Sequence, residues 1–274
     1  MSFLQTFQVF PSIPKPLSFL QVLARNLWWC WHMDAIELFR RISPRLWEES
    51  GRNPIVFLTL IPQKQLEELS KDESFLAHQQ RVEEHFVDDL TPEVPEVPSE
   101  SSYGKEGTIG YFSMEFGIHE SVPLFAGGLG VLAGDHLKAA SDLTLPLIGV
   151  GLLYRHGYFH QFLDHEGWQQ EEYPEIDIYR LPVKRVKDDS GHELIISVPG
   201  PEGEIRAVVW KIMVGRIPLI LLDTNLPENS PEIREITSRL YAGSSKTRLA
   251  QEVLLGIGGM RALESMGIYP TVCH

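Results

Sequence analysis

Two apolar, β-branched runs, Thr108-Ile-Gly-Tyr-Phe-Ser-Met114 and Leu147-Ile-Gly-Val-Gly-Leu-Leu-Tyr154, bracket a segment of helical composition, Leu129 to Leu143. Strand, loop, helix, strand is the order that a parallel sheet with a crossover helix requires. An α/β fold follows. The helix opens from a glycine-rich turn, Phe125-Ala-Gly-Gly-Leu-Gly130, and continues through Asp135-His136-Leu-Lys138. Gly127 and Gly128 allow a sharp turn and close approach of a ligand to main-chain N–H groups, while the helix N-terminus adds partial positive charge. The turn therefore suits a phosphate or a developing anion. Its glycine spacing is neither G-x-G-x-x-G nor a Walker loop, so alone it is better read as a structural turn. Glu115 is expected to end the first strand at the carboxyl edge of the sheet, where open α/β folds place ligands.

Outward from this unit, Asp164-His-Glu-Gly167 separates Tyr158–Leu163 from Trp168–Glu172 and predicts a hairpin. Strands are expected at Leu194–Val198, Ala207–Met213 and Ile217–Leu222, as an antiparallel excursion near one sheet edge. Helices are expected at Pro231–Tyr241 and Thr247–Met266, and a last strand over Ile268–Cys273. Upstream, Thr91-Pro-Glu-Val-Pro-Glu-Val-Pro and the residues to Gly107 read as a Pro-rich acidic linker, because the prolines forbid a helix and the charges cannot fill a core. Before it, Pro16 to Ile42 carries apolar residues three and four apart, and Gln63 to Val87 reads as helix. The expected organisation is a mostly helical region 1–90, a linker 91–107 and an α/β region 108–274.

The 43% hydrophobic content supports a globular protein with a sizeable core. A formal net charge of −13 disfavours a nucleic-acid partner, whose phosphates are gripped by Lys and Arg. Neither a signal peptide nor a membrane-spanning stretch is legible, which points to the cytoplasm. Two cysteines, Cys30 and Cys273, give no disulfide framework or metal pattern. His156 and His160 have a helical ligand spacing but lie in a strand pattern, so no metal site is expected. Trp28, Trp29 and Trp31 could stack on sugars or fill a core, and helical spacing favours the core.

Several runs taken together resemble the α-glucan phosphorylases in their compact bacterial and archaeal form. They are Tyr111-Phe-Ser-Met-Glu-Phe-Gly-Ile-His-Glu120, the Gly-Gly-Leu-Gly loop, Leu145 to Arg155, Gly157 to Trp168, Asn26-Leu-Trp-Trp-Cys-Trp-His32, Thr247 to Leu263 and Tyr269 to His274. The resemblance implies a GT-B architecture of two Rossmann-like domains, of which this chain holds part of the first. It further implies phosphorolysis of terminal α-1,4 glucosidic bonds to glucose 1-phosphate, with α-1,4-glucan and inorganic phosphate as partners and a homo-oligomer in the full-length form. Pyridoxal 5′-phosphate would be the cofactor, its phosphate serving in acid/base chemistry. By the same resemblance Gly127, Gly128 and Leu129 contact substrate and Glu115 lines the cleft. From their place near the start of the helix Asp135 and His136 are further candidates, although Asp135 could equally serve the helix dipole. The cofactor lysine is expected beyond His274, which makes the chain alone an inactive fragment. One departure from the family pattern is Ala242-Gly243-Ser244, where relatives carry Gly-Gly-Asp.

Two other readings stand beside this one. A glycogen or starch synthase would share the plan, but it usually carries a Lys before the glycine loop, where this chain has Leu124-Phe125-Ala126. A non-catalytic glucan-binding piece, or half of a split enzyme, would need no complete cleft.

Overall fold

The computed structural model describes residues 10–91, 107–201, 203–241 and 243–274. The expected linker falls on residues 92–106, which lie outside the described residues together with Ala242.

The first region is built from α1 (Phe19–Leu23), a 3₁₀ turn (Leu27–Trp31), α2 (Met33–Ile42), α3 (Pro44–Glu49), α4 (Pro54–Leu60), α5 (Gln63–Leu69) and α6 (Glu73–Leu90). Its starts are written locally. Ser43 accepts from Leu46 N–H, Asn53 from Ile55 and Val56 N–H, and Asp72 from Phe75 N–H, with Pro44 and Pro54 in the first turns. The core of this region is aromatic. Phe39 stacks on Trp47 with centroids 5.4 Å apart, and Trp29 and Phe57 meet Trp47 edge-on. Trp28 and Trp29 are each only 1% exposed, so they pack rather than offer a sugar platform.

The expected helix from Pro16 to Ile42 is interrupted, and Asn26 is the reason. It adopts an extended conformation and bridges to Met213. Its side chain accepts from Trp28 N–H and Gly215 N–H and donates to the Gly215 carbonyl. A partner 189 residues away thus takes the helix's place. Gly215 has φ of 61°, and a Cβ there would lie 2.1 Å from Ser141 Oγ. One continuous core runs from this helical region into the sheet.

The second region contains β1 (Ile109–Phe112), α7 (Gly128–Asp142), β2 (Leu147–Leu152), β3 (His160–Leu163), β4 (Gln169–Glu172), β5 (Lys184–Arg185), β6 (Ile195–Gly200), β7 (Gly203–Val214) and β8 (Ile217–Asp223). Then come α8 (Pro231–Arg234), α9 (Ser245–Val253), α10 (Gly259–Ser265) and β9 (Val272–Cys273). The sheet order is β5-β7-β8-β2-β1-β9, with β6 also on β7. β8, β2, β1 and β9 run parallel, and β7 is antiparallel to its three neighbours. The fold is α/β with a mixed sheet. All six residues of β2 are buried, because both faces are covered. Gly149 faces Leu137 of α7, while Val150 faces Gly259 of α10. β3 and β4 form the expected hairpin as a separate two-stranded sheet, exposed at every position. Asp164 Oδ1 accepts from Glu166 and Trp168 N–H to form its turn.

Three expected elements differ in extent. Pro231–Tyr241 is helical only to Arg234 and continues as a 3₁₀ turn to Thr237. Beyond it the carbonyls of Thr237 and Ser238 accept from Arg155 and His156 N–H, drawing the chain out of helix. The last strand is confined to Val272–Cys273, following Pro270, which has no N–H for a ladder. The Thr247–Met266 helix exists but carries a π-helical turn, Leu254–Gly258, between α9 and α10.

Candidate functional site

The glycine turn and Glu115 come together, but not as a strand-end carboxylate facing a cleft. β1 ends at Phe112. The Ser113 hydroxyl donates to the Glu115 carbonyl at 2.8 Å and accepts from Glu115 N–H at 3.3 Å, turning the chain inward. The Glu115 carboxylate is consequently buried, 3% exposed. One oxygen accepts from Ala126 N–H (2.7 Å) and Gly127 N–H (3.1 Å), and the other from the Tyr241 hydroxyl (2.6 Å). Three donors saturate it, so its role in this geometry is to position the turn.

The turn is fixed from behind as well. Gly117 N–H donates to the Gly130 carbonyl at 2.7 Å, and Phe116 pairs with Leu124. Close packing requires glycine at two places: a Cβ at Gly130 would lie 2.7 Å from a Glu115 carboxylate oxygen, and one at Gly134 would lie 2.1 Å from the Gly117 carbonyl oxygen. In front, the situation reverses. A Cβ at Gly127 or Gly128 would meet nothing within 4 Å, and Gly127, Gly128 and Leu129 are exposed. No side chain among the described residues caps α7, so the first-turn N–H groups of this 15-residue helix have no side-chain acceptor and sit at the positive end of its dipole. The arrangement is a rigid, backbone-lined, weakly electropositive surface suited to an oxyanion.

Comparison with known proteins follows the same residues. A sequence profile described as a protein of unknown function (DUF3417) matches residues 13–122. The maltodextrin phosphorylase of Thermococcus litoralis is 42% identical over 97% of this chain and 32% of its own length. The glycogen phosphorylase of Mycobacterium tuberculosis is 41% identical over 97% of the chain and 31% of its own length. That of Aquifex aeolicus is 42% identical over 90% and 34%. This chain belongs to the α-glucan phosphorylase family. It spans about a third of the length of these relatives.

The other residues expected from the phosphorylase resemblance diverge in space. Asp135 is exposed and pairs with Lys138 at 3.6 Å, on the side of α7 that approaches Cys30. His136 lies against Tyr111, with centroids 4.7 Å apart, and Tyr111 stacks on His274. Neither makes a hydrogen bond to the glycine turn among the described residues. Burial pushes the Cys30 thiol up to about 12, so it stays protonated and is no nucleophile. His156 sits in bridges to Glu175 and Arg239, and His160 is exposed on β3.

Tyr241 is the residue at this turn that the sequence alone did not reveal. Its backbone φ is 58°, Arg248 lies over its ring at 4.9 Å, and its hydroxyl completes the Glu115 shell. Burial, followed by donation to Glu115, pushes its phenol up to about 12. The one available signal was its place beside Ala242-Gly243-Ser244, where the sequence departs from the family pattern. Tyr154 supports the same corner, donating to the Met114 carbonyl at 2.8 Å, and its phenol is also raised by burial.

Proposed function

We propose that this chain is the first Rossmann-like lobe of a GT-B α-glucan phosphorylase, with a helical region 1–90, a connecting segment 91–107 and an α/β region 108–274. In the longer protein it contributes one wall of a cleft where inorganic phosphate attacks the terminal α-1,4 glucosidic bond. The observation that carries this reading is the turn held rigid from behind by buried Glu115 while its front stays open. The N–H groups of Gly128 and Leu129, at the head of α7, are the donors for the substrate phosphate or the anionic side of the breaking bond. Gly127 has given its N–H to Glu115, so it contributes clearance rather than a hydrogen bond. Glu115 and Tyr241 act through the turn and are positioning residues. His136 and Asp135, further along the helix, are candidates only for the outer part of the cleft.

Pyridoxal 5′-phosphate would supply acid/base chemistry through its own phosphate. The residues around the turn fit an anion but offer no aldehyde partner, since Lys138 on α7 is paired with Asp135. The cofactor is therefore assigned to the rest of a longer chain, and no step is derived through it.

The test uses the longest natural protein carrying this sequence. Gly128→Ala adds a methyl group that meets nothing in the fold. It should cut phosphate-dependent release of glucose 1-phosphate from maltodextrin by at least about tenfold, with an unchanged melting curve. An unchanged rate would remove the turn from the substrate site. A second reading, a non-catalytic glucan-binding piece or half of a split enzyme, is favoured by one observation: Tyr158, Trp168 and Tyr179 stand exposed on and beside the hairpin. Maltodextrin binding by the 274-residue chain alone would strengthen it.

A further inference from the structure

Away from the glycine turn, three side chains converge where the 3₁₀ turn Leu27–Trp31 packs on the last turns of α6. His85 and Asp89 are four apart on α6 and share a face. His32 brings its Nε2 to 3.2 Å from Asp89 Oδ2, and His85 brings its Nε2 to 3.5 Å from the same oxygen. All three donor atoms lie within 4.8 Å of one another.

The protons matter here. His32 Nδ1 is 2.7 Å from the Trp28 carbonyl oxygen, which can only accept, so that nitrogen carries the hydrogen. In the neutral ring the Nε2 lone pair then faces a carboxylate oxygen. Two lone pairs at that distance repel unless something positive lies between them, either a second ring proton or a cation. The surroundings are ordered as metal-site supports are. Trp28 stacks on the His32 ring with centroids 3.7 Å apart, and its indole N–H donates to Asp89 Oδ2 at 2.8 Å.

We propose that His32, His85 and Asp89 form a binding site for a divalent transition cation of the Zn²⁺ class. In a tetrahedral site with bonds of about 2.0–2.1 Å, neighbouring donor atoms stand roughly 3.3 Å apart. The two measured separations, 3.2 and 3.5 Å, bracket that edge. Two imidazoles and one carboxylate select Zn²⁺, Co²⁺ or Ni²⁺ over Mg²⁺ or Ca²⁺. Two of the three ligands also line a cavity of about 180 Å³, formed by Trp28, His32, Asp89, Ser141, Asp142 and Arg216. On that wall Arg216 donates to the Ser141 carbonyl and the Thr144 hydroxyl, and the Asp142 carboxylate accepts from the Trp31 indole at 3.1 Å. A cation held there staples the aromatic turn to α6, and does so independently of any phosphorylase chemistry.

The experiment titrates the 274-residue chain at pH 7.5 with Co²⁺ alone and then Zn²⁺ alone, following d–d absorption and tryptophan fluorescence. One equivalent of Co²⁺ should develop nitrogen and oxygen ligand-field bands without a thiolate charge-transfer band, quench Trp28, and be displaced by Zn²⁺. His85→Ala and Asp89→Asn should each weaken binding at least about tenfold, whereas His160→Ala should leave it unchanged. His85 is half-exposed, so its removal leaves the fold intact, and His85→Gln serves if the alanine variant does not fold. No stoichiometric binding, a thiolate band, or equal affinity in the His85 and Asp89 variants overturns the site and leaves a protonated imidazole as the positive partner.

Discussion

Glu115 and Asp89 are both carboxylates set among aromatic side chains, and they are satisfied in opposite ways. Glu115 accepts from two backbone N–H groups and a phenol, all neutral donors aimed at it by the fold. Asp89 accepts from one indole N–H and otherwise faces two imidazole nitrogens, one of them on a His32 ring whose Nδ1 hydrogen is turned away to the Trp28 carbonyl. The first carboxylate is closed and holds a backbone in place. The second is open and calls for a cation. A saturated carboxylate is a structural part, while an under-supplied one is a site, and neither condition is visible in the residue name.

The largest effect is expected from removing the saturated carboxylate. Glu115→Ala removes a buried carboxylate together with its hydrogen bonds to Ala126 N–H, Gly127 N–H and the Tyr241 hydroxyl. A loss of about 3 kcal/mol in urea unfolding is expected. A loss near zero would mean that the turn holds its shape without Glu115.

A smaller effect comes from His119, an imidazole that is the counterpart of His32. Its Nδ1 accepts from Ser121 N–H at 3.1 Å, so the ring is held neutral. Burial, followed by repulsion from Lys138 and Arg52, pulls it down to about 4 from its ordinary 6.5. The unfolded chain therefore takes a proton before the folded one does. Stability from this group is fully present above pH 6.5 and is lost as pH falls from there toward 4. Urea midpoints measured across that window should fall with acid, and His119→Gln should flatten the slope.

The smallest effect is expected at the open carboxylate. Without added metal, His85→Ala should change stability by less than about 0.5 kcal/mol, as exposed positions do. With a saturating divalent transition cation, the native chain should gain stability that the variant does not. A large metal-free loss in His85→Ala would make the pair a structural ion pair and erase the contrast with Glu115.

Much of the α/β region was legible because its signals are local. The alternation and β-branching of Thr108–Met114 and Leu147–Tyr154, the turn chemistry of Asp164–Gly167 and the glycine entry to α7 each lie within a few residues of the element they define. Elements failed where a distant partner competed. Asn26 breaks the predicted first helix through Gly215, and Arg155 and His156 draw residues after Thr237 out of helix. The site was legible in the same measure. The glycines and Glu115 were found, but a reader of the sequence places Glu115 in solvent or against a ligand. One of its three donors is Tyr241, 126 residues downstream. The histidine pair was missed for the same reason: His32 meets Asp89 only because the 3₁₀ turn packs across α6.

The π-helical turn between α9 and α10 gives this part of the chain one residue to spare. Gly256 within it is exposed and touches nothing that a Cβ would meet, whereas Gly259, just beyond, lies where a Cβ would be 2.6 Å from Val150 and 2.8 Å from Phe112. A π turn holds one residue more than an α turn, so deleting Gly256 would let Leu254–Gly258 close as ordinary helix and leave Gly259 against the sheet. The same deletion made within α10 would have no such slack and would rotate all that follows by about 100°, driving bulkier neighbours toward β1 and β2. The irregular turn is thus where the helix tolerates a change of length, and the regular helix after it is where it does not.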